Sequence, residues 1–310
     1  KPLEALDAQV EQLKNLKLQG QVDVSNEIKA LEQRSSDLLV QLFSNLTPYQ
    51  MVQIARHPDR PSALDMIGIV FDDFVELCGD RSFMEDKSIV GGLASLSGRS
   101  IMVIGHQKGK TTQENMVRNF GMPRPEGYRK ALRLMNLAEQ WKLPIITLID
   151  TPGAYPGIEA EERGQAEAIA RNILVMTDLR TPILSVVLGE GGSGGALAIA
   201  VADRMLMLQY SIYSVISPEG CAAITWKDGA YAARAAEALK LTSSEILKAK
   251  VADLMIEEPL GGAHRDPLGL GLQLKAALQR ELKSLCALEI DELIEQRYQR
   301  FRRIGDLKSQ

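Results

Sequence analysis

The sequence predicts an α/β fold: a largely parallel sheet flanked by helices, with a helical arm before it and a long helix after it. Three observations carry this. Residues 144–150 and 182–188 are short, apolar, β-branched runs, the pattern of strands buried on both faces. Each ends in a loop rich in glycine or proline, residues 151–157 and 189–195, that leads into a helical stretch. The order strand, helix, strand, helix then persists from residue 88 onwards, as right-handed crossover units require.

In chain order, residues 1–50 contain only one glycine, Gly20, and two apolar runs at helical spacing. Leu3, Leu6, Val10, Leu13 and Leu16 form the first; Ile28, Leu31, Leu38, Leu42 and Leu46 form the second. They predict a helical hairpin and a division into an arm, residues 1–56, and a main domain, residues 57–310. Pro58 and Pro61 mark a linker in which His57 reads as a capping or surface residue. Leu64, Ile67, Val70, Phe71, Phe74 and Leu77 predict a helix over 62–78. Residues 89–96 and 101–106, joined at Gly98, read as a hairpin, and 106–110 as a polar, cationic turn at its end. The loop 119–127 feeds a helix over 128–141, whose Arg129, Lys130 and Arg133 read as an exposed face or as contacts to a phosphate-bearing substrate or a partner. After residue 157, Glu159, Glu161 and Glu162 sit where a helix start favours acids. Short strands follow at 205–208, 213–217 and 251–256, with helices from Pro218 and over 230–239 and 241–250. The remainder reads as one long amphipathic helix whose Arg297, Arg300, Arg302 and Arg303 form a solvated basic cluster.

At 310 residues the chain can bury a full core. A net charge of −4 gives no case for nucleic acid or an anionic membrane surface. No apolar run has the length of a membrane span, which predicts a soluble, cytoplasmic protein. Cys78, Cys221 and Cys286 are odd in number and far apart, and the three histidines are scattered, so no metal site is expected in this chain. The first residue is Lys1 rather than Met, and nothing that follows reads as a targeting peptide.

The informative stretch is 189–195, with five glycines in seven residues between a buried strand and an Ala/Leu/Ile run. Glycines there let the backbone approach a ligand and leave the first helical amides pointing at an anion or a developing oxyanion. Gly189-x-Gly191-x-x-Gly194 fits the dinucleotide spacing, yet the next strand ends in Gln209 where an acid is needed. Gly191-x-Ser193-x-Gly195 fits a nucleophile elbow, with His264 as the sole histidine downstream. Glycines that merely allow close packing are the third reading.

Longer motifs resemble the carboxyltransferase α subunit of bacterial-type acetyl-CoA carboxylase. They are 149–157 (IDTPGAYPG) followed by Glu161-Glu162-Arg163-Gly164-Gln165, then 189–198 (GEGGSGGALA), 214–221 (SVISPEGC) and 118–122 (RNFGM). The resemblance runs from the arm to the C-terminal helix. It implies a ClpP/crotonase-like ββα superhelix and transfer of a carboxyl group from carboxybiotin, held on a biotin carboxyl carrier protein, to acetyl-CoA, giving malonyl-CoA for fatty-acid synthesis. It also implies partners: a separate β subunit with a zinc ribbon, in an α2β2 assembly, and biotin carboxylase. The zinc belongs to that partner, in keeping with the lack of a Cys₄ pattern here.

Within this resemblance the backbone amides of Gly194 and Gly195 are expected to hold the biotin ureido oxygen, with Gly153, Ala154, Gly191 and Gly192 lining the same substrate pocket. The freed ureido nitrogen then takes the α-proton of acetyl-CoA, so the protein needs backbone donors rather than an acid/base triad. Two other functions stand beside this one. A serine hydrolase using Ser193 and His264 predicts esterase turnover by the isolated chain; a non-catalytic scaffold predicts no biotin binding. A hydratase or isomerase of the same fold would need an acidic side chain in these loops, and Glu190 is the obvious candidate.

Overall fold

The computed structural model describes residues 9–10, 12–15 and 24–305. Leu3, Leu6, Leu16 and the Gly20 bend of the expected hairpin lie outside the described residues. The chain divides into two compact units, Lys1–Thr47 and Pro48–Gln310. In the first, a helix spans Ser25–Phe43, and Lys14 pairs with Glu32 at 2.7 Å. The division precedes the helix Pro48–Ala55 rather than following residue 56, because Val52 and Ala55 are buried against Ile212, Ala236 and Leu241 of the second unit's own core.

The second unit is built on an eight-stranded sheet in the order β1-β2-β3-β4-β5-β6-β8, with β7 also pairing β5. The strands are β1 (Asp72–Glu76), β2 (Ile89–Leu96), β3 (Arg99–His106), β4 (Ile145–Thr151), β5 (Ile183–Gly192), β6 (Arg204–Leu208), β7 (Ile212–Ser214) and β8 (Leu254–Ile256). β2 and β3 form the expected antiparallel hairpin, and every pairing from β3 to β8 is parallel. Alternation of side chains sends Ile146, Leu148, Leu184, Val186 and Leu188 into one core, with the helices Ala63–Val70 and Pro267–Leu285. Ile145, Ile149, Ile183 and Val187 enter the other, with Pro125–Gln140 and Gln165–Asp178. Burial on both faces explains why β4 and β5 read as unbroken apolar runs.

Three expectations change. The helix expected over 62–78 stops at Val70, and the chain re-enters as β1, an exposed edge strand on β2. Gly92 makes this possible, since a Cβ there would lie 2.0 Å from Val75 O. The long C-terminal helix is two helices, Pro267–Leu285 and Ile290–Arg303, with no proline or glycine between them. After the break the second helix still reaches the first core through Leu293, beside Leu282 and Leu285, and only near its end does Phe301 pack on the second.

The basic cluster, third, is solvated only at Arg302 and Arg303. Arg297 is 1 % exposed and grips both Asp203 oxygens (2.8 and 2.9 Å) and the carbonyls of Met176, Leu179 and Thr181. Arg300 bonds Asp253 at 3.0 Å. Arg129, Lys130 and Arg133 are likewise committed internally: Arg129 to Asp80 and Glu126, Lys130 to Glu85 and the Asp86 carbonyl, and Arg133 to the carbonyls of 77–79. Among the described residues no helix is long and apolar enough to cross a membrane.

Candidate functional site

The two loops singled out by sequence meet at the C-terminal ends of β4 and β5, the edge where open α/β sheets hold ligands. The glycine segment is not a free loop. β5 continues through Gly192, and Gly191 and Gly192 pair with Tyr213 and Ser214 of β7. A Cβ would lie 2.2 Å from the Tyr213 ring at Gly191 and 2.2 Å from Pro152 O at Gly192, so both are glycine for close packing. Gly189 and Gly191 therefore stand in a strand, not at the strand-to-helix turn that a dinucleotide fingerprint needs.

The turn comes at Ser193, whose φ of +54° is left-handed, and the helix Ser193–Leu197 follows at once. Among the described residues nothing accepts from the N–H of Gly194 or Gly195. Gly195 is also the closest junction between the two loops: a Cβ on it would sit 2.5 Å from both Ala154 N and Gly153 C. Across that junction the Ala154 N–H has no acceptor either, whereas Gly153 N–H is taken by Thr151 Oγ1 at 3.1 Å. The Gly153 amide is thus committed; a Cβ there would meet nothing within 4 Å, so that face is open. The loop is held from behind by Gln165 Nε2, which donates to Pro123 O (2.9 Å) and Tyr155 O (2.8 Å).

Beside this backbone lies a charged network that sequence reasoning did not assemble. Lys108 Nζ lies 2.7 Å from Asp150 Oδ1 and 3.0 Å from Glu190 Oε1. Arg56 joins Glu190 (2.6 Å) to Glu219 (2.9 Å). Burial alone would lower the Lys108 ammonium, but Asp150 and then Glu190 outweigh it and hold it above its ordinary value. Burial alone would likewise raise the Glu190 carboxyl, and Lys108 with Arg56 holds it below the usual carboxylate range. The turn expected at 106–110 is exposed only at Lys110 and buried at His106 and Gln107. His106 is fully buried with both ring nitrogens unpartnered, and burial lowers it to about 3, opposed by the Gly195 backbone and aided by the Lys108 charge.

No triad forms at Ser193. Its hydroxyl makes no hydrogen bond among the described residues, and His264 instead stacks on His57 with ring centroids 3.9 Å apart. Burial, with His57 adding to it, lowers His264 to about 4. Glu190, the candidate acid, spends both oxygens on Lys108 and Arg56. Among the described residues Glu76, Cys78 and Glu85 come close enough to hold a metal ion, but Glu85 is already engaged by Lys130 and the Gly79 N–H.

Comparison with known proteins bears on both fold and family. The family described as acetyl co-enzyme A carboxylase carboxyltransferase-like matches residues 1–305. The acetyl-coenzyme A carboxylase carboxyl transferase subunit alpha of Burkholderia multivorans is 57 % identical over 307 residues, 99 % of this chain and 95 % of its own. Among solved structures, a transcarboxylase 12S chain aligns at TM-score 0.56 with 20 % identity over 70 % of this chain, which spans 40 % of it. The β subunit of a Pseudomonas aeruginosa geranyl-CoA carboxylase aligns at 0.54 with 19 % identity, over 74 % of this chain and 45 % of that one. The two structural likenesses speak for the fold alone, and with them the crotonase-like α/β expectation holds.

Proposed function

The chain belongs to the family of acetyl-coenzyme A carboxylase carboxyltransferase α subunits, and on that premise we propose that it transfers a carboxyl group from biotin, borne on a separate carrier protein, to acetyl-CoA, giving malonyl-CoA. The observation that carries this is the close meeting of the two loops at Gly195 and Ala154, where among the described residues nothing accepts from the amides of Gly194, Gly195 and Ala154.

Carboxyl exchange between a ureido group and an acyl thioester places negative charge on oxygen, so the protein must supply fixed donors and hold two reactants together. A single preorganised donor of this kind is typically worth about 2.7–4 kcal/mol. Alignment of two reactants contributes about 7–11 kcal/mol. In this chain the Gly194 and Gly195 amides would face the ureido oxygen, with Ala154 a third donor and Gly153 the open wall beside it. Ser193 sets the turn, and its side chain stays out of the chemistry. This division of labour fits the commitment of Asp150 and Glu190 to Lys108 and Arg56.

We assign the rest of the reaction to partners. Val215, which follows the ladder partner of Gly192 and is 76 % exposed, and Ile158, 77 % exposed after the Pro156-Gly157 bend, are apolar groups presented near the loops. We assign this face to a β subunit that carries zinc and most of the acetyl-CoA site, in an α2β2 assembly. The biotin carboxyl carrier protein and biotin carboxylase complete the system.

The test is co-expression with a zinc-ribbon β subunit and assay of malonyl-CoA-dependent carboxylation of biotin. Activity is expected from the pair and absent from either chain alone. Esterase turnover by the isolated chain, lost in Ser193→Ala, would return the site to a hydrolase.

A further inference from the structure

We infer that Lys108 is a positioning residue for the Gly194–Gly195 amides, neutralising the Asp150 carboxylate that holds the bulge through which β5 reaches them and the Glu190 carboxylate carried by the bulge itself. The inference rests on the carboxyl-transfer reading and adds to it the device that sets the loop's geometry.

β4 and β5 stay in step as far as Ile149 and Val187, but the next pairing is Thr151 with Gly191. Over that step β4 advances two residues and β5 four, so part of β5 bulges out of the ladder. The Glu190 N–H, inside the bulge, is accepted by Asp150 Oδ1 at 2.9 Å. Gly189 makes the reach possible, since a Cβ there would sit 2.6 Å from that same oxygen.

The Asp150 oxygen that fixes the backbone also accepts Lys108 Nζ at 2.7 Å, and Lys108 bridges to Glu190 at 3.0 Å. Both carboxylate side chains are only 8 % exposed, so water screens their repulsion poorly. Arg56 Nε supports the other Glu190 oxygen at 2.6 Å but is shared with Glu219. The remaining charges facing the trio line a cavity of about 230 Å³ beside it. They are Arg60, committed to Glu258, Lys110, committed to Asp65, and His57, stacked on His264; from the end of β3, His106 also feels the Lys108 charge and is kept neutral by its burial. None of these replaces Lys108.

Lys108→Met keeps the stem and removes the charge. Asp150 and Glu190 then face each other with only the shared Arg56, and like charges in a buried site raise the affinity of one for a proton. With both charged they repel and the bulge loosens; a proton taken up at Glu190 relieves the repulsion. In the complex with the β subunit, kcat is expected to fall about 10²-fold at pH 8, the scale of a ~1 Å misplacement. KM for malonyl-CoA stays unchanged, and kcat recovers as the pH is lowered, a rise beyond the wild-type profile. Adding Glu190→Gln to Lys108→Met restores kcat at pH 8. Hydrogen exchange over residues 187–195 reads the bulge with no reaction at all: exchange is faster than wild type at pH 8, after correction for intrinsic rates, and matches it at pH 6.

Wild-type kcat and exchange in Lys108→Met at pH 8 would overturn the inference, as would a loss that neither acid nor Glu190→Gln repairs. A wild-type complex that carboxylates no biotin removes the carboxyl-transfer reading instead, and the exchange measurement still decides the role of Lys108 in the bulge.

Discussion

At residue 194 a methyl group finds room, its nearest neighbour being Ile169 Cγ2 at 3.8 Å; at residue 195 it meets the Gly153–Ala154 backbone at 2.5 Å. Two neighbouring glycines thus serve different ends, one presenting an amide and the other also letting the two loops touch. Gly194→Ala should fold as the wild type and keep its amide. Gly195→Ala should push the loops apart, costing on the order of 1–3 kcal/mol, the usual range for overpacking, and most of the activity. Ser193→Ala should retain most of the activity, since the hydroxyl bonds nothing among the described residues. Thermal melts and the biotin assay on the three variants check this; a stable, active Gly195→Ala would refute it. The glycine run was legible in the chain, but which glycine does which job depends on atoms contributed from forty residues away.

Among elements, the helix Ile290–Arg303 shows how an arginine cluster can mislead. Arg297 and Arg300 share a helical face with exposed arginines nearby, and periodicity alone does not say that the face meets the carbonyls of 176, 179 and 181. Arg297 also neutralises Asp203, whose Oδ2 accepts from the Ile183 N–H where β5 begins. Removing one partner of a buried pair typically costs about 3–5 kcal/mol, because the other is left charged and uncompensated. Arg297→Met should therefore lower stability by about that amount in urea unfolding, whereas Arg302→Met should change it by less than about 0.5 kcal/mol. Equal effects would mean the Arg297–Asp203 pair carries no special weight.

For the whole molecule, the buried histidine predicts how folding responds to acid. His106 is lowered to about 3 in the folded state, against an ordinary value near 6.5. Above pH ~6.5 neither state binds the proton and there is no penalty. As the pH falls from there towards 3, the unfolded chain gains a proton that the folded chain refuses, so stability declines by about 1.4 kcal/mol per pH unit. By pH 5 this amounts to about 2 kcal/mol from His106, with His264 adding in the same direction. His106→Leu should remove the first part, flattening the dependence of urea midpoint on pH; an unchanged slope would show that the ring is protonated in the folded state.

By itself the sequence determined the fold class, the hairpin β2–β3, the paired strand–loop units and the family, because these rest on local periodicity, turn residues and long contiguous motifs. Only the tertiary structure decided that the 62–78 segment splits into helix and edge strand, that the C-terminal helix breaks without a helix breaker, and that Arg56, Lys108, Asp150 and Glu190 meet. Those outcomes depend on partners distant in the chain: a glycine on β2 that admits an edge strand, two sheet faces that must both be covered, and carboxylates that become neighbours only when β4 and β5 align. Hydrophobic spacing records which side of an element faces inward, but not which charge waits there.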